Sequence, residues 1–545
     1  MSLLTTLARL EAVRSGHAEP LATVRHRHLA EQPLVLIPLA TAGETGAPLA
    51  VMLGRDRERP TLLTLPQPLD RTRRFVLLAE LATELLPYLE SFGADVEVLT
   101  RETKDAETGE PAEVTRELCL DAPQVIVPNR GGIELLGLLG RSSRFRRTAE
   151  DPDPGPYPAP PRVPLLGRWL THLRDRAQVP GSSLLLAMTD LLGRHWATGQ
   201  STLEDQHLGA LLAWLDPPAG LTGAEAALRA ETARDPNGQL LCPPAGPSTD
   251  PHFDSTLLAP AITRYDAARQ LSDPAATAAR EQDIHRLLEG LLLPVWEQLW
   301  RGVDLLRALP EAAHVPERWT GDRWSYTAHR DRLAAGEPPQ PVQDDAVTAA
   351  RKLAQREREQ TTVGVQEALD DPLAMAEHRL AGEALAGVVV GVELEYDTSR
   401  KTAKPRPLVT IRTADRLHAD PGQELHRAGS PKPQKAELVA VGPAGSHQPL
   451  RSPSEPAGVA GTVTVRLLNG MGRKKEPDPG TVPAPGDQVC FTTFELTARQ
   501  SAPLPEPEDT PWTHGGPPRA SLPASEPAST STSAPASEPE EEADR

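Results

Sequence analysis

Short aliphatic runs, separated by turns that contain glycine and proline, dominate the first 150 residues. Three of these runs predict the strands of a meander, at 34–40, 49–54 and 61–65. Asp70 then precedes a segment whose apolar residues form a broad helical face up to Gly93, so a capped helix is predicted. Later runs predict a hairpin and then a strand that leads into a helix, at 96–101, 114–120 and 124–128. Residues 1–150 are therefore expected to form an α+β domain.

A different periodicity, typical of amphipathic helices, extends from residue 165 to residue 385. Apolar positions recur there at helical spacing in six segments, at 165–177, 183–198, 203–215, 256–271, 276–309 and 342–369. Most of the tryptophans also lie in this region, where their large side chains are expected to anchor packing between helices. The preceding segment, 151–164, is so rich in proline that it predicts a stiff linker. We therefore expect a central all-α region at 165–385.

After residue 386 the pattern returns to that of strands, in five runs rich in β-branched residues. The runs are GVVVGVELEY, PLVTIRT, AELVAVG, GTVTVRLL and QVCFTTFEL. Because a closed barrel removes the free edges of short strands, we expect a small β-barrel, OB-like or SH3-like, at 386–500. From residue 501 the chain consists mainly of Pro, Ser, Thr, Ala and Glu, which predicts a disordered acidic tail at 501–545. The fold class expected is a multidomain α+β chain.

Composition limits the size and the location of the protein. A chain of 545 residues is too long for one core, and 58 prolines with only 39% apolar residues predict a large share of loops. The preference for Arg and Ala is typical of a GC-rich bacterial genome. Three distant cysteines without C-x-x-C spacing disfavour disulfides and indicate a reducing compartment. Since neither a signal-peptide pattern nor an apolar run of ~18 residues is present, we expect a cytoplasmic protein with no membrane partner.

The net charge of −18 is unevenly distributed along the chain. Residues 386–500 contain 15 Lys and Arg against 12 Asp and Glu, a balance of +3. Residues 501–545 contain 2 basic and 9 acidic residues, a balance of −7, and the remaining 385 residues carry −14. A weakly basic module between an acidic body and an acidic tail favours an anionic partner for that module.

Two glycine-containing turns are the candidates for binding phosphate. The stretch from Gly193 to Ser201 matches a phosphate loop only superficially, because its glycines are one residue too far apart and Gln200 stands where a lysine must meet the phosphates. The turn N-R-G-G at 129–132 follows a predicted strand and opens a helix, which is a place where an anion can bind. Most such turns bind nothing, so a structural role is the favoured interpretation.

Acidic residues near Lys104 match part of a metal-dependent nuclease site, namely Asp95, Glu97 and Glu102. Such a site needs carboxylates on adjacent strands beside the lysine, so that they hold a hard cation. Here the spacing is compressed and Lys104 begins a polar hairpin loop, which favours solvated charges.

His26 and His28 alternate with two arginines, and this alternation predicts an exposed basic strand. No H-E-x-x-H motif and no His/Cys cluster accompanies them, so a metal site is not predicted. Cys119 and Cys490 each lie inside an apolar strand, where a thiol is expected to behave as a small buried hydrophobe.

The predicted barrel carries the candidate binding residues. Two of its loops are rich in Lys and Arg, and the candidates for binding nucleic acid are Arg400, Lys401, Lys404, Arg406, Arg473, Lys474 and Lys475. Such loops can follow a phosphate backbone, and Phe491 and Phe494 are candidates for stacking on bases. The alternative interpretation is that charged hairpin tips serve solubility and that strand aromatics face the core.

The expected function is that of a non-catalytic adaptor or accessory protein. Its barrel would contact nucleic acid or a protein partner, in the service of a nucleic-acid-processing motor encoded elsewhere. The alternative is an enzyme with a degenerate motif, in the first place a metal-dependent nuclease in the N-terminal domain. The adaptor interpretation predicts no catalytic residue, no metal ligand and no cofactor, and the sequence leaves the oligomeric state open.

Overall fold

The computed structural model describes residues 2–44, 46–104, 111–398, 403–430, 432–442, 461–472 and 474–495. The helices are α1 (Leu3–Ser15), α2 (Arg71–Ser91), α3 (Arg130–Ser143), α4 (Val163–Ala177), α5 (Met188–His195), α6 (Leu208–Leu215), α7 (Gly223–Thr232), α8 (Pro251–Phe253), α9 (Ala259–Gln270), α10 (Pro274–Arg307), α11 (Val315–Ala334), α12 (Ala346–Asp370) and α13 (Pro372–Leu380). The strands before the barrel are β1 (Glu19–Pro20), β2 (Leu34–Ala40), β3 (Pro48–Gly54), β4 (Thr61–Thr64), β5 (Val96–Lys104), β6 (Pro111–Cys119), β7 (Val125–Val127), β8 (Leu185–Ala187) and β9 (Trp196–Ala197). The strands from residue 384 onwards are β10 (Ala384–Glu393), β11 (Tyr396–Asp397), β12 (Lys404–Pro405), β13 (Leu408–Thr413), β14 (Glu424–Ala428), β15 (Lys435–Gly442), β16 (Gly461–Leu467) and β17 (Gln488–Thr492).

A five-stranded mixed sheet with the order β4-β3-β2-β7-β8 lies at the centre of the N-terminal part. The strands β4, β3 and β2 form the predicted antiparallel meander, whereas β7 is parallel to both β2 and β8. Both faces of the sheet are covered, because Leu34 and Leu36 belong to one core and Val35 and Ile37 belong to the other. This double coverage explains why β2 is a continuous apolar run rather than an alternating one.

The strand β8 connects the first part of the chain with the region predicted to be all-α. It lies within 183–198, which the sequence predicts as a helix, and it pairs with β7 to complete the sheet. Trp169 of α4 and Tyr326 of α11 pack in the same core as Leu36. The proline-rich segment 151–164 therefore lies between elements of one core, and its Ala159 is itself buried there.

A closed antiparallel barrel with the strand order β10-β13-β16-β15-β14-β17 forms the C-terminal part of the described chain. The prediction of a closed barrel is confirmed, with six strands in place of the five expected. The additional strand is β14, whose sequence E-L-H-R-A contains no β-branched residue. The helix α13 leads into this barrel, where Arg379 donates two hydrogen bonds of 2.6 and 2.9 Å to Asp415.

The chain divides into two compact units. The larger comprises Met1–Val342 and Gln355–Gln500, and the smaller includes Gln343–Ala354. Within the smaller unit Asp345 caps the start of α12 by accepting a hydrogen bond of 2.9 Å from the Thr348 amide. In the described part of the chain no helix is both long enough and apolar enough to cross a membrane. The predicted tail, 501–545, lies outside the described residues.

Candidate nucleic-acid interface

Two of the predicted binding residues, Lys404 and Arg406, lie on or directly after a short ribbon at the start of the barrel. In this ribbon β11 pairs with β12, so that Tyr396 is opposite Pro405 and Asp397 is opposite Lys404. Lys404 is exposed. Arg406 follows the ribbon and is anchored by a hydrogen bond of 2.5 Å from Nη1 to the Leu468 carbonyl. The ribbon thus presents an exposed ammonium group beside a fixed guanidinium.

The second basic loop reaches the same ribbon. The Lys475 ammonium lies 5.8 Å from the centre of the Tyr396 ring, within the range of a cation–π contact. Lys474 and Lys475 are both exposed, and the Tyr396 ring is half-buried. The structure therefore brings the loop of Lys475 to the ribbon that carries Tyr396 and Lys404 and leads into Arg406. We call the group of Tyr396, Lys404, Arg406, Lys474 and Lys475 the Tyr396 surface. The other three candidates, Arg400, Lys401 and Arg473, lie outside the described residues.

Other cations of the barrel are neutralised by carboxylates. Such ion pairs join Lys432 to Asp478 at 3.0 Å, Lys435 to Glu424 at 2.6 Å and Arg466 to Glu437 at 3.3 Å. Within the described ranges, no carboxylate lies at ion-pair distance from the ammonium groups of Lys404, Lys474 and Lys475. These lysines therefore have charge left for an external anion.

The aromatic residue available at this surface is not one that the sequence predicts. Phe491 is fully buried in the barrel core, so it cannot stack on a base. Phe494 packs against the imidazole of His378, with ring centres 4.7 Å apart. Tyr396 ends the first strand-like run of the barrel and is followed by the basic loop, and this neighbourhood is the signal that could have identified it.

The segment that contains His26 and His28 is buried, and the prediction of an exposed basic strand is wrong. His26 and Arg27 have exposed fractions of only 6% and 5%. Each side chain has a partner on a helix or at a helix cap: Asp371, which caps α13, for His26 at 3.2 Å, Glu367 for Arg27 at 3.1 Å and the Trp319 ring for His28 at 4.0 Å between centres. Burial lowers the pKa of Arg27 to about 10 and also lowers the pKa of His28. The alternating charges therefore serve internal packing.

The turn at 129–132 opens α3 at the carboxyl ends of the parallel strands β2 and β7. The Asn129 side chain caps the helix by accepting a hydrogen bond of 3.2 Å from the Gly132 amide. A groove of about 520 Å³ lies beside the turn and is lined by Arg130, Gln206 and Pro247 among others. Arg130 faces Asp190, with Nε 2.6 Å from the carboxylate, and the Gln206 amide oxygen accepts from the Arg130 backbone. The polar groups of the groove are thus largely engaged with one another.

The stretch from Gly193 to Ser201 does not form a loop around an open cavity. It contains the end of α5 and the strand β9, which pairs with β1. Gly199 lies against Trp214, and a Cβ atom on it would be 2.7 Å from that ring. The Thr198 hydroxyl donates a hydrogen bond of 2.7 Å to Asp205. These contacts give the stretch a packing role.

The residues proposed for a nuclease site lie on or beside a hairpin that is separate from the central sheet. The strands β5 and β6 pair only with each other in the described chain. Asp95 is exposed, and Glu97 forms an ion pair with Arg323 of α11. The side chains of Glu102 and Lys104 lie outside the described residues, so the nuclease alternative stays a prediction.

The cysteines of the two apolar strands are shielded from water. Cys119 is fully buried in a core of the N-terminal part. Cys490 of β17 is half-buried, and burial raises the pKa of its thiol to about 11. A thiol with such a pKa is protonated at neutral pH, which disfavours a role as a nucleophile.

Comparison with known proteins gives no relative from which a function could be transferred. No protein-family model, no curated protein and no solved structure matches the chain. A proposal about function therefore rests on the geometry of the chain's own residues.

Proposed function

We propose that the chain is a non-catalytic adaptor whose barrel binds single-stranded nucleic acid on the Tyr396 surface. The observation that carries this proposal is the meeting of two basic loops at one ribbon, which also carries an aromatic ring. Lys404 lies on the ribbon that contains Tyr396, and Lys475 reaches the ring from the other loop at 5.8 Å. Basic groups beside an aromatic platform are the combination that proteins use to bind single strands.

The electrostatic part of the binding comes from exposed ammonium groups. Lys404, Lys474 and Lys475 are exposed and have no carboxylate partner among the described residues. Each phosphate that they neutralise releases condensed counterions, so affinity falls as salt rises. With three phosphates neutralised, the slope of log affinity against log salt for a single strand is about −2. Arg406 contributes less, because its guanidinium is held by the Leu468 carbonyl and by Asp397.

The aromatic part selects single strands over duplexes. An exposed cation–π contact stabilises by only about 0.5–1 kcal/mol, whereas a base stacked on an aromatic ring contributes about 1–3 kcal/mol. A base can therefore replace Lys475 over the Tyr396 ring while the lysine turns towards a phosphate. In a duplex the bases are already stacked on each other, so that only the phosphate contacts remain.

Acidic neighbours keep the binding modest, which suits an accessory role. Asp397 lies opposite Lys404 on the ribbon, and Glu395 forms an ion pair with Arg466 at 3.5 Å. Since these carboxylates repel phosphate, the Tyr396 surface supplies an auxiliary contact. Such a contact fits an adaptor that serves a nucleic-acid-processing motor encoded elsewhere.

The test measures binding of fluorescently labelled single-stranded and double-stranded DNA and RNA to the full chain by anisotropy, at several salt concentrations. We expect single strands to bind most tightly and the double variant Lys404→Ala/Lys475→Ala to lose at least about tenfold in affinity, equal to about 1.4 kcal/mol. The matched control is Lys432→Ala/Arg59→Ala, which removes two cations that are already paired with Asp478 and Asp56. Absence of binding at low salt, or an equal loss in both double variants, would contradict the proposal.

A further inference from the structure

Three side chains with metal-ligating atoms converge on the outside of the barrel, on and beside β14. Glu424 and His426 are two residues apart on this strand and therefore project from the same face. Glu495 follows β17, whose Thr492 is the register partner of His426. One ligand atom of each side chain lies within 4.8 Å of the ligand atoms of the other two. Glu495, 69 residues after His426, thus completes one compact donor set with the two residues of β14.

We propose that Glu424, His426 and Glu495 form a binding site for a divalent transition-metal ion, with Zn²⁺ as its preferred occupant. An imidazole nitrogen with two carboxylate oxygens is a donor set that Zn²⁺ accepts at about 2.0–2.2 Å. Calcium and magnesium prefer sites built from oxygen alone, so the histidine favours a transition metal. The proposal is independent of nucleic-acid binding, because none of the three residues belongs to the Tyr396 surface.

Burial distinguishes this group from an ordinary acidic surface patch. His426 has an exposed fraction of 8%, Glu495 is half-buried and Glu424 is exposed. The His426 imidazole is therefore the buried ligand of the site, and the Glu424 carboxylate is the ligand exposed to solvent. Three protein ligands leave coordination positions for water, as in zinc sites that are open to solvent.

The surrounding charges define what a metal ion must displace. The Lys435 ammonium lies 2.6 Å from a Glu424 oxygen, and Lys435 is also the register partner of His426. Glu437 lies opposite Glu424 on β15, a like-charge pair that is unfavourable on adjacent strands. Arg466 is the ion-pair partner of Glu437 at 3.3 Å. Lys435 thus neutralises Glu424 without a metal, and an ion bound to Glu424 competes with that ammonium group.

The first test titrates Zn²⁺ into the full chain, freed of metal by a chelator, in an isothermal calorimeter. We expect one Zn²⁺ per chain and weaker binding to the variants His426→Ala, Glu424→Gln and Glu495→Gln. Each variant should lose more than about tenfold in Zn²⁺ affinity. Removal of a residue that only hydrogen-bonds to a metal ligand already costs about tenfold, and these residues are the ligands themselves. The matched controls are His418→Ala and Glu476→Gln, which alter an exposed histidine and an exposed carboxylate of the same barrel.

The competing lysine supplies a test in the opposite direction. Lys435→Ala should bind Zn²⁺ more tightly than the unaltered chain, because the carboxylate of Glu424 is then released from its ion pair. Lys432→Ala, which releases Asp478 instead, should leave the affinity unchanged. Misfolding of Lys435→Ala would weaken Zn²⁺ binding, so it cannot produce the expected gain in affinity. This test is therefore valid even where a ligand variant is unstable.

Substitution with Co²⁺ identifies the ligands independently. The absorption spectrum of the Co²⁺ form should indicate nitrogen and oxygen ligands and should change in His426→Ala. A thiolate charge-transfer band would place the ion on a cysteine and would overturn the proposal. No binding of Zn²⁺ at micromolar concentrations, or binding that all three ligand variants retain, would overturn it as well.

Discussion

His26 and Asp371, 345 residues apart in the sequence, form a buried pair in which the imidazole Nε2 lies 3.2 Å from the carboxylate. Asp371 also accepts hydrogen bonds from the backbone amide and the hydroxyl of Thr23, at 2.8 and 3.0 Å. Its fourth donor is the Leu373 amide, so the same carboxylate caps α13, the helix that leads into the barrel. Burial on its own would raise the pKa of Asp371, but these hydrogen bonds outweigh it and the pKa lies below its ordinary value. One carboxylate therefore joins the N-terminal segment to the entrance of the barrel.

Replacement of Asp371 by Ala should lower the free energy of unfolding by about 2–4 kcal/mol. The change removes a helix cap and leaves the donors of Thr23 and His26 without their acceptor. Urea-induced unfolding measures the change in stability, and hydrogen exchange of the α13 amides measures the loss of the helix cap. Asp56→Ala is the control, because it removes an exposed carboxylate paired with Arg59, and it should change stability far less than Asp371→Ala. Equal effects of the two changes would contradict the role given to Asp371.

The stacked imidazoles of His172 and His329 predict a loss of stability in acid. Their ring centres are 4.1 Å apart, and burial lowers the pKa of His329 to about 3 and that of His172 well below its ordinary value. In the unfolded chain these histidines take up protons below about pH 6.5, whereas in the folded chain they stay neutral. Unfolding therefore takes up protons, and stability falls as the pH decreases from about 6.5 towards 3.

The variant His329→Gln should flatten this dependence. Each buried histidine contributes a slope of up to about 1.4 kcal/mol per pH unit, so removal of one reduces the change in unfolding free energy between about pH 6.5 and 4. His252→Gln serves as the control, since its side chain is exposed to solvent in the folded chain. An unchanged slope in His329→Gln would show that this imidazole does not resist protonation.

The sequence predicts the elements whose local pattern agrees with their environment. The helix predicted after Asp70 is α2, and the Asp70 carboxylate caps it by accepting a hydrogen bond of 3.0 Å from the Thr72 amide. The strand predicted at 34–40 is β2, and each of the five predicted runs of the barrel contains a strand. In each of these cases periodicity and terminal residues point to the same element.

The missed elements are those whose pattern is ambiguous or whose partners are distant in the sequence. The apolar run that contains β8 cannot be told from a buried helix by periodicity alone, and only pairing with β7 makes it a strand. The charged strand β14 is held by its neighbours β15 and β17. At the candidate interface, charge predicts the two basic loops, whereas Tyr396 could be identified only from the contact that Lys475 of the second loop makes with its ring. Long-range contacts of this kind leave no local signal.

Gly131 is a position where a side chain should be destabilising. A Cβ atom there would lie 2.3 Å from Cδ of Pro247, whose carbonyl accepts a hydrogen bond of 2.6 Å from the Ala40 amide. Gly131→Ala should therefore cost about 1–3 kcal/mol of stability, the range found for overpacking. Gly193→Ala is a matched control, because nothing lies within 4 Å of its Cβ position in α5 and alanine favours helix. Thermal unfolding measures the stability of both variants, and equal stability would contradict the tight packing at Gly131.

The aromatic ring of the Tyr396 surface should be needed for binding single strands. Tyr396→Ala removes the stacking platform and should weaken binding of single-stranded oligonucleotides by about 1–3 kcal/mol. Tyr396→Phe retains a ring and should bind within about twofold of the unaltered chain, which corresponds to about 0.4 kcal/mol. Anisotropy titrations at constant salt compare the variants. If Tyr396→Ala binds as well as Tyr396→Phe, the lysines act without stacking.

Removal of residues 501–545 should strengthen low-salt binding of nucleic acid. These residues contain 9 acidic and 2 basic side chains, whereas residues 386–500 carry a balance of +3. The deletion removes seven net negative charges that follow directly on the basic module, so repulsion of phosphate decreases. The gain in affinity should disappear as salt rises, because a Debye length of about 10 Å at 0.1 M screens charges that are further apart. A variant in which neutral amides replace the nine acidic residues of the segment should reproduce the gain at full length. If the deletion strengthens binding and the charge-neutral variant does not, the effect comes from steric exclusion and the electrostatic explanation is wrong.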